Sequence, residues 1–181
     1  LGDVYKRQIR DKLPTWYDQP DLLFPSRLSA EQCSSELTAR YKQSLLRGEK
    51  VCDLTGGLGI DSWFFSQVAQ KVIYIERFPE YCKAAAANFA VLKAGNIQVI
   101  EADAQTLLPT LQADTFYIDP ARRSGNNKRL FAITECEPDI LQLKNILLKK
   151  SRRLIVKISP MADPTETLKL IPEIIEIHIV A

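Results

Sequence analysis

A chain of 181 residues with 46% hydrophobic content can bury one substantial core and fits one domain, with little left for a second. Its formal charge of +2 is too small to demand a polyanionic partner, so the placement of the basic residues matters more than their sum. Four cysteines lie far apart without a C-x-x-C pair and the single His178 cannot complete a zinc site of ordinary spacing, so reduced thiols and no metal are expected.

The N-terminus lacks the charged-then-apolar layout of a signal peptide, and no apolar stretch approaches bilayer-spanning length, so a cytoplasmic protein with no membrane partner is expected. Residues 1–8, LGDVYKRQ, share no pattern with the rest and read as a non-native scar outside the fold. Residues 9–28 carry Pro14, Pro20 and Pro25 between aromatics, which predicts an irregular arm lying across the core. Ser29 is the expected N-cap of a helix over SAEQCSSELTARYKQSLL, with Gln32 at the capping-box position and Leu37, Tyr41 and Leu45 recurring every four residues. Arm and helix, residues 9–48, precede a core over 49–181.

From Glu49 onward β-rich runs alternate with helical ones: KVCDLT, DSWFFSQVA, KVIYIE, PEYCKAAAANFAVLKA, IQVIEAD, AQTLLPTL, DTFYID, DILQLKNILLKK, RRLIVKIS, PTETLKLI and IIEIHIVA. This alternation predicts βαβ units and an α/β fold with a doubly wound, mostly parallel sheet of six strands. Gly95 and Asn96 are expected to end the long alanine-rich helix.

In such a sheet a ligand sits beyond the carboxyl ends of the strands, and the residues there are Asp53, Glu76, Asp103 and Asp119. The glycine turn VCDLTGGLGID is not a dinucleotide fingerprint, because Ser62 stands where the last glycine belongs, and no G-K-[ST] follows to make a P-loop. Asp53 and Asp61 flank the turn and would repel a pyrophosphate, so a cationic ligand is the better match. S-adenosylmethionine carries a sulfonium, an ammonium, an adenine and two ribose hydroxyls. Asp61 could equally serve its own helix as a first-turn carboxylate, and Asp103 could cap the helix that starts at Ala104.

DLTGGLGID resembles motif I of the class I S-adenosylmethionine-dependent methyltransferases, with Thr55 in place of the usual first glycine and Gly56 one position later. Glu76 in YIERF matches the acidic residue that accepts the ribose hydroxyls, Asp103 in IEADA the position that contacts the adenine amine, and DPAR at 119–122 motif IV. Together with EQCSSELTARYK and DPARR, these motifs resemble a bacterial branch in which a THUMP-like domain follows the catalytic core. The resemblance implies a Rossmann-like methyltransferase core, with a seventh strand missing after IIEIHIVA and strand six left as an exposed edge. It implies S-adenosyl-L-methionine as cofactor, held by Asp53, Thr55, Gly56, Gly57, Gly59, Asp61, Glu76, Arg77, Asp103 and Ala104.

The amine-modifying relatives use [DNS]-P-P-[YFW] to hold an amine and stack a base. Asp119 and Pro120 keep the first half, whereas Ala121 and Arg122 replace the second proline and the aromatic. Asp119 and Pro120 are therefore the expected catalytic pair. Arg122, Arg123, Lys128 and Arg129 form a basic loop beside them, suited to RNA phosphate or base stacking. Lys157 at the fifth strand could pair with Asp119, which would suit a ribose 2′-hydroxyl as acceptor. Cys136 lies beyond the loop and is expected to be a small buried residue rather than a nucleophile. The expected activity is methyl transfer to an RNA base amine; the alternatives are ribose 2′-O methylation, a protein or small-molecule acceptor, or a non-catalytic cofactor- and RNA-binding scaffold.

Overall fold

The computed structural model describes residues 9–122, 133, 136–159 and 162–180. Five parallel strands form the main sheet: β1 (Lys50–Asp53), β2 (Lys71–Glu76), β3 (Ile97–Glu101), β4 (Thr115–Ile118) and β7 (Arg153–Val156), in the order β3-β2-β1-β4-β7. A small antiparallel pair, β5 (Ala121–Arg122) and β6 (Cys136–Glu137), stands apart from it. The helices of the core are α4 (Ile60–Ser66), α5 (Pro79–Val91), α6 (Ala104–Leu107), α7 (Ile140–Lys150) and α8 (Pro164–Leu170).

Contiguous apolar runs make the central strands because both faces of the sheet are covered. Cys52, Ile73, Ile75, Phe116 and Ile118 point to one side, where they meet Leu108, Ile140 and Leu147. Val51, Val72 and Tyr117 point to the other, where Phe65 packs on them, and Tyr74 joins the layer formed with Phe64, Ala85 and Phe89. The strand order reverses between β1 and β4, since the chain winds outward from β1 through β2 to β3 and then returns to the opposite side. That reversal opens a crevice at the carboxyl ends of the strands, the usual ligand position in this architecture.

The N-terminal arm does lie across the core, but it is partly helical: residues 9–12 are helical, and α1 (Pro14–Tyr17) follows with proline in its first turn. Ile9, Leu13, Trp16 and Leu22 are buried against Trp63, Phe64 and Phe89. Helices form here because the arm finds its caps in distant residues. Glu36, only 5% exposed, accepts hydrogen bonds from the Thr15 and Trp16 backbone N–H groups and from the Thr15 hydroxyl.

The single helix expected from Ser29 is two helices. Ser26, not Ser29, caps α2 (Arg27–Gln32) and forms a reciprocal capping box with Ser29, so Gln32 ends this helix instead of starting one. The chain is extended at Cys33, and Ser35 caps α3 (Glu36–Ser44). Leu37 is 81% exposed and Tyr41 40%, whereas Glu36, Ala39 and Lys42 are buried, so the apolar period marked the wrong face of α3. Helix α5 ends before Gly95: Lys93 takes the left-handed conformation at φ 56°, and Ala94 N–H reaches back to the Phe89 carbonyl. The sixth run, residues 174–180, is without strand pairing among the described residues, and Tyr41 and Arg153 hold it through His178 and Glu176. Cys136 lies half-buried in β6 rather than in the core, and none of the cysteines is bridged. Among the described residues, no helix is long and apolar enough to cross a membrane.

Candidate active site

The turn from β1 into α4 is shaped by contacts that leave no room for larger residues. A Cβ at Gly56 would run into the Tyr74 ring, and Gly59, at φ 89°, would put one 2.7 Å from the Phe89 ring. The Tyr74 hydroxyl donates to the Gly57 carbonyl at 2.5 Å, and the Gly57 N–H donates to Glu76 at 2.9 Å, so β2 braces the loop from both sides. The Thr55 hydroxyl accepts the Asp119 N–H at 2.7 Å, which ties the ends of β1 and β4 together.

These residues floor a cleft of roughly 240 Å³. Its walls are Glu76, Arg77 and Phe78 after β2, Asp103 and Ala104 after β3, Asp119 and Ala121 after β4, and Ser29, Cys33 and Ser34 of the arm. The structure thus brings together Thr55, Gly56, Gly57, Gly59, Asp61, Glu76, Arg77, Asp103, Ala104 and Asp119 around one opening. Lys157 joins them through Asp119, at 2.5 Å. Pro120 is half-buried next to Asp119. Arg122 lies in β5, paired in register with Cys136. Arg123, Lys128 and Arg129 lie outside the described residues.

Asp53 is a correction: it lies beneath the turn rather than on the cleft wall, 1% exposed. It accepts the Thr55 N–H at 3.0 Å and the Ser62 hydroxyl at 2.7 Å, bonds that fix the turn and α4. Burial pushes its carboxyl up to about 7 against those two bonds. Asp103 caps α6 by accepting the Gln105 N–H and still lines the cleft, so both of its expected roles are open to it. Glu76 spends one oxygen on the Gly57 N–H and the other on the Arg77 and Phe78 N–H groups. Arg77 is drawn toward Glu137 of β6, at 2.6 Å, and stacks on Phe78.

Burial also pushes the Asp119 carboxyl up, against the lowering effect of Lys157. For Lys157 burial acts downward, but Asp119 outweighs it and the ammonium ends above its ordinary range.

Sequence reasoning missed the support behind Asp61. This carboxylate is buried, and its Oδ2 accepts from Lys42 Nζ at 2.6 Å, the Ser34 hydroxyl at 2.9 Å and the Tyr117 hydroxyl at 2.9 Å. Its Oδ1 is buried with no hydrogen-bond partner among the described residues. The available signal for Lys42 was a cation in a helix otherwise read by its apolar period, which points outward.

No family model matches the chain. Curated relatives named Ribosomal RNA small subunit methyltransferase J are similar to it. That of Rhodopseudomonas palustris (strain HaA2) is 28% identical over 136 residues, 65% of this chain and 62% of the relative. That of Coxiella burnetii (strain RSA 331 / Henzerling II) is 30% identical over 131 residues, 63% of this chain and 52% of the relative. The chain therefore spans less than two thirds of the length of these relatives. A crystal structure from Porphyromonas gingivalis W83 with a provisional methyltransferase assignment is 40% identical, at a TM-score of 0.83, over 92% of this chain and 42% of that one. A precorrin 8w decarboxylase structure from Methanobacterium thermoautotrophicum, 16% identical, shares the fold alone at a TM-score of 0.58, over 78% of this chain and 72% of that one. Sheet order, glycine turn and these similarities together give the chain the Rossmann-like fold of the class I methyltransferases.

Proposed function

We propose that this chain is the catalytic core of an S-adenosylmethionine-dependent methyltransferase that modifies an RNA base amine. The observation that carries the reading is the set of acidic side chains around the glycine turn, in which Asp61 Oδ1 is buried without a partner among the described residues. An unpaired buried carboxylate oxygen is costly unless a donor reaches it, and an ammonium group is the donor it suits best. Asp61, Glu76, Asp103 and Asp119 around one opening disfavour a phosphate-bearing nucleotide for the same electrostatic reason.

The residues present fit the methyl donor. Glu76 would accept the ribose hydroxyls, Asp103 and Ala104 would face the adenine, and Gly56, Gly57 and Gly59 with Thr55 would let the backbone approach closely. Arg77, held to Glu137, would close that side of the cleft. Bound there, S-adenosylmethionine supplies an electrophilic methyl carbon on a sulfonium.

Methyl transfer from a sulfonium is an in-line displacement, so the chain's contribution is alignment of the acceptor and exclusion of water. The Asp119 carboxylate would accept one N–H of an acceptor amine and the Pro120 carbonyl the other, aiming the nitrogen lone pair. Arg122, with Arg123 and Lys128 beyond it, would bind the RNA backbone or stack on the base. A THUMP-like module after this core would add RNA affinity. The Asp119–Lys157 contact favours a second acceptor, a ribose 2′-hydroxyl, which that pair could bind and polarise.

Calorimetry with S-adenosylmethionine, S-adenosylhomocysteine, ATP and NADH tests the cofactor, and tritium transfer from the donor into total RNA, followed by nucleoside analysis, tests the reaction. The expected result is binding of the first two ligands and label in a methylated base. Tighter binding of ATP or NADH would overturn the cofactor reading, binding without transfer would favour a scaffold, and label on ribose would favour the second acceptor.

A further inference from the structure

Lys42 reaches from the arm to the floor of the cleft, and its side chain is 7% exposed. Its ammonium donates to the Ser34 hydroxyl at 2.6 Å, to Asp61 Oδ2 at 2.6 Å and to the Tyr117 hydroxyl at 3.0 Å. Three donors meet three acceptors, and the two hydroxyls then donate onward to the same Asp61 oxygen. Each hydroxyl accepts once and donates once, so the network closes without conflict.

The closed network has one asymmetric outcome. Oδ2 of Asp61 is saturated, Oδ1 has no partner among the described residues, and the carboxylate cannot rotate without breaking three bonds. Burial pushes the Lys42 ammonium down, with Asp61 opposing. A buried ion pair contributes little net stability compared with an apolar replacement, so packing alone gives no reason for a lysine here.

We propose that Lys42 is a positioning residue for the cofactor: it pins one oxygen of Asp61 so that the other is held for the ammonium of the methyl donor's amino-acid tail, an inference that rests on the S-adenosylmethionine reading of the cleft. Lys42 itself does not touch the ligand in this arrangement. Without its charge, Asp61 is an uncompensated buried carboxylate no longer pinned at Oδ2, so it turns away, and the tail loses its partner while the nucleoside end of the cleft is untouched. The arm thereby becomes part of the cofactor site, through Ser34 and Lys42, although the glycine turn lies in the core.

The test compares two ligands by calorimetry: S-adenosylhomocysteine, which carries the amino-acid tail, and 5′-methylthioadenosine, which shares adenine, ribose and sulfur but lacks it. For Lys42→Met the affinity for S-adenosylhomocysteine is expected to fall by about tenfold to a hundredfold, the range of a charge-assisted hydrogen bond, with 5′-methylthioadenosine changed less than about twofold. Asp61→Asn should show the same split, and the double variant should be no worse than either single one. The double variant also removes both charges, which keeps the test open if Lys42→Met alone does not fold. Unchanged binding of S-adenosylhomocysteine, or an equal loss of both ligands in a folded variant, would overturn the positioning role and leave the cofactor reading standing. Failure of the unaltered protein to bind either ligand would instead overturn the cofactor reading, and this inference with it.

Discussion

At the scale of single residues, Asp53 shows how an acidic strand end can serve a site without facing it. Its carboxylate is spent on the Thr55 N–H and the Ser62 hydroxyl, and burial pushes it up to about 7. A folded-state value above the ordinary carboxylate range means that the folded protein binds the extra proton between about pH 4 and 7. Stability from this group is therefore greatest at the acid end of that window and falls as the pH rises through it. Asp53→Asn should remove that slope, so the melting temperature of the unaltered protein should decline relative to the variant from pH 4 to 7, by an energy of about 1–3 kcal/mol at most. Parallel melting curves across the window would show that Asp53 is ionised throughout. Gly59 gives a second residue-level expectation. Gly59→Ala combines a left-handed φ of 89° with a Cβ 2.7 Å from the Phe89 ring, and should cost about 1–3 kcal/mol in denaturant unfolding. A cost under about 0.5 kcal/mol would mean that Phe89 yields freely.

At the scale of elements, helix α5 closes with a left-handed lysine. The Ala94 N–H bonds the Phe89 carbonyl and the Lys93 N–H bonds the Ala90 carbonyl, a Schellman ending in which the left-handed residue is ordinarily glycine. Lys93→Gly should accordingly stabilise the protein by about 0.5–1 kcal/mol, readable as a higher urea midpoint with the same slope. A lower midpoint would mean that the lysine side chain contributes more than its backbone strain costs. The sequence pointed to Gly95 because a glycine near a helix end is the ordinary signal, and nothing local showed that the turn would close two residues earlier. The strands were more legible. β1, β2 and β4 are contiguous apolar runs buried on both faces, and their order along the chain alternates with helices, so composition and period carry the information locally. Helix α3 was misread for the converse reason: its buried side holds Glu36 and Lys42, whose partners lie in other elements, while Leu37 and Tyr41 face outward. The site followed the same division, with the cleft-lining acids readable from strand ends and Lys42, Ser34 and Tyr117 readable only from the folded packing.

At the scale of the whole molecule, the arm is joined to the core by polar anchors as well as by its apolar contacts. Glu36 caps α1, Lys42 holds Asp61, and Asn88 of α5, fully buried, both accepts the Leu23 N–H at 2.7 Å and donates to the Leu23 carbonyl at 2.9 Å. Asn88 imitates a strand partner for a peptide otherwise unpaired among the described residues. Its two bonds fix the segment immediately before α2, and α2 and the turn after it supply Ser29, Cys33 and Ser34 to the cleft wall. Asn88→Ala leaves the Leu23 N–H and carbonyl without partners, at a cost of about 1–3 kcal/mol. The loss should appear as local opening, because the sheet strands do not depend on this anchor. Hydrogen exchange followed by mass spectrometry should therefore show faster exchange in peptides covering residues 19–33, with β1, β2 and β4 unchanged. Added S-adenosylhomocysteine should slow exchange of the same peptides, in the variant as in the unaltered protein, since a ligand in the cleft would press against the wall that α2 provides. Faster exchange spread evenly over the strands would mean that the arm and the core unfold as one unit, and the arm would then be part of the domain's global stability rather than a separately hinged wall of the cleft.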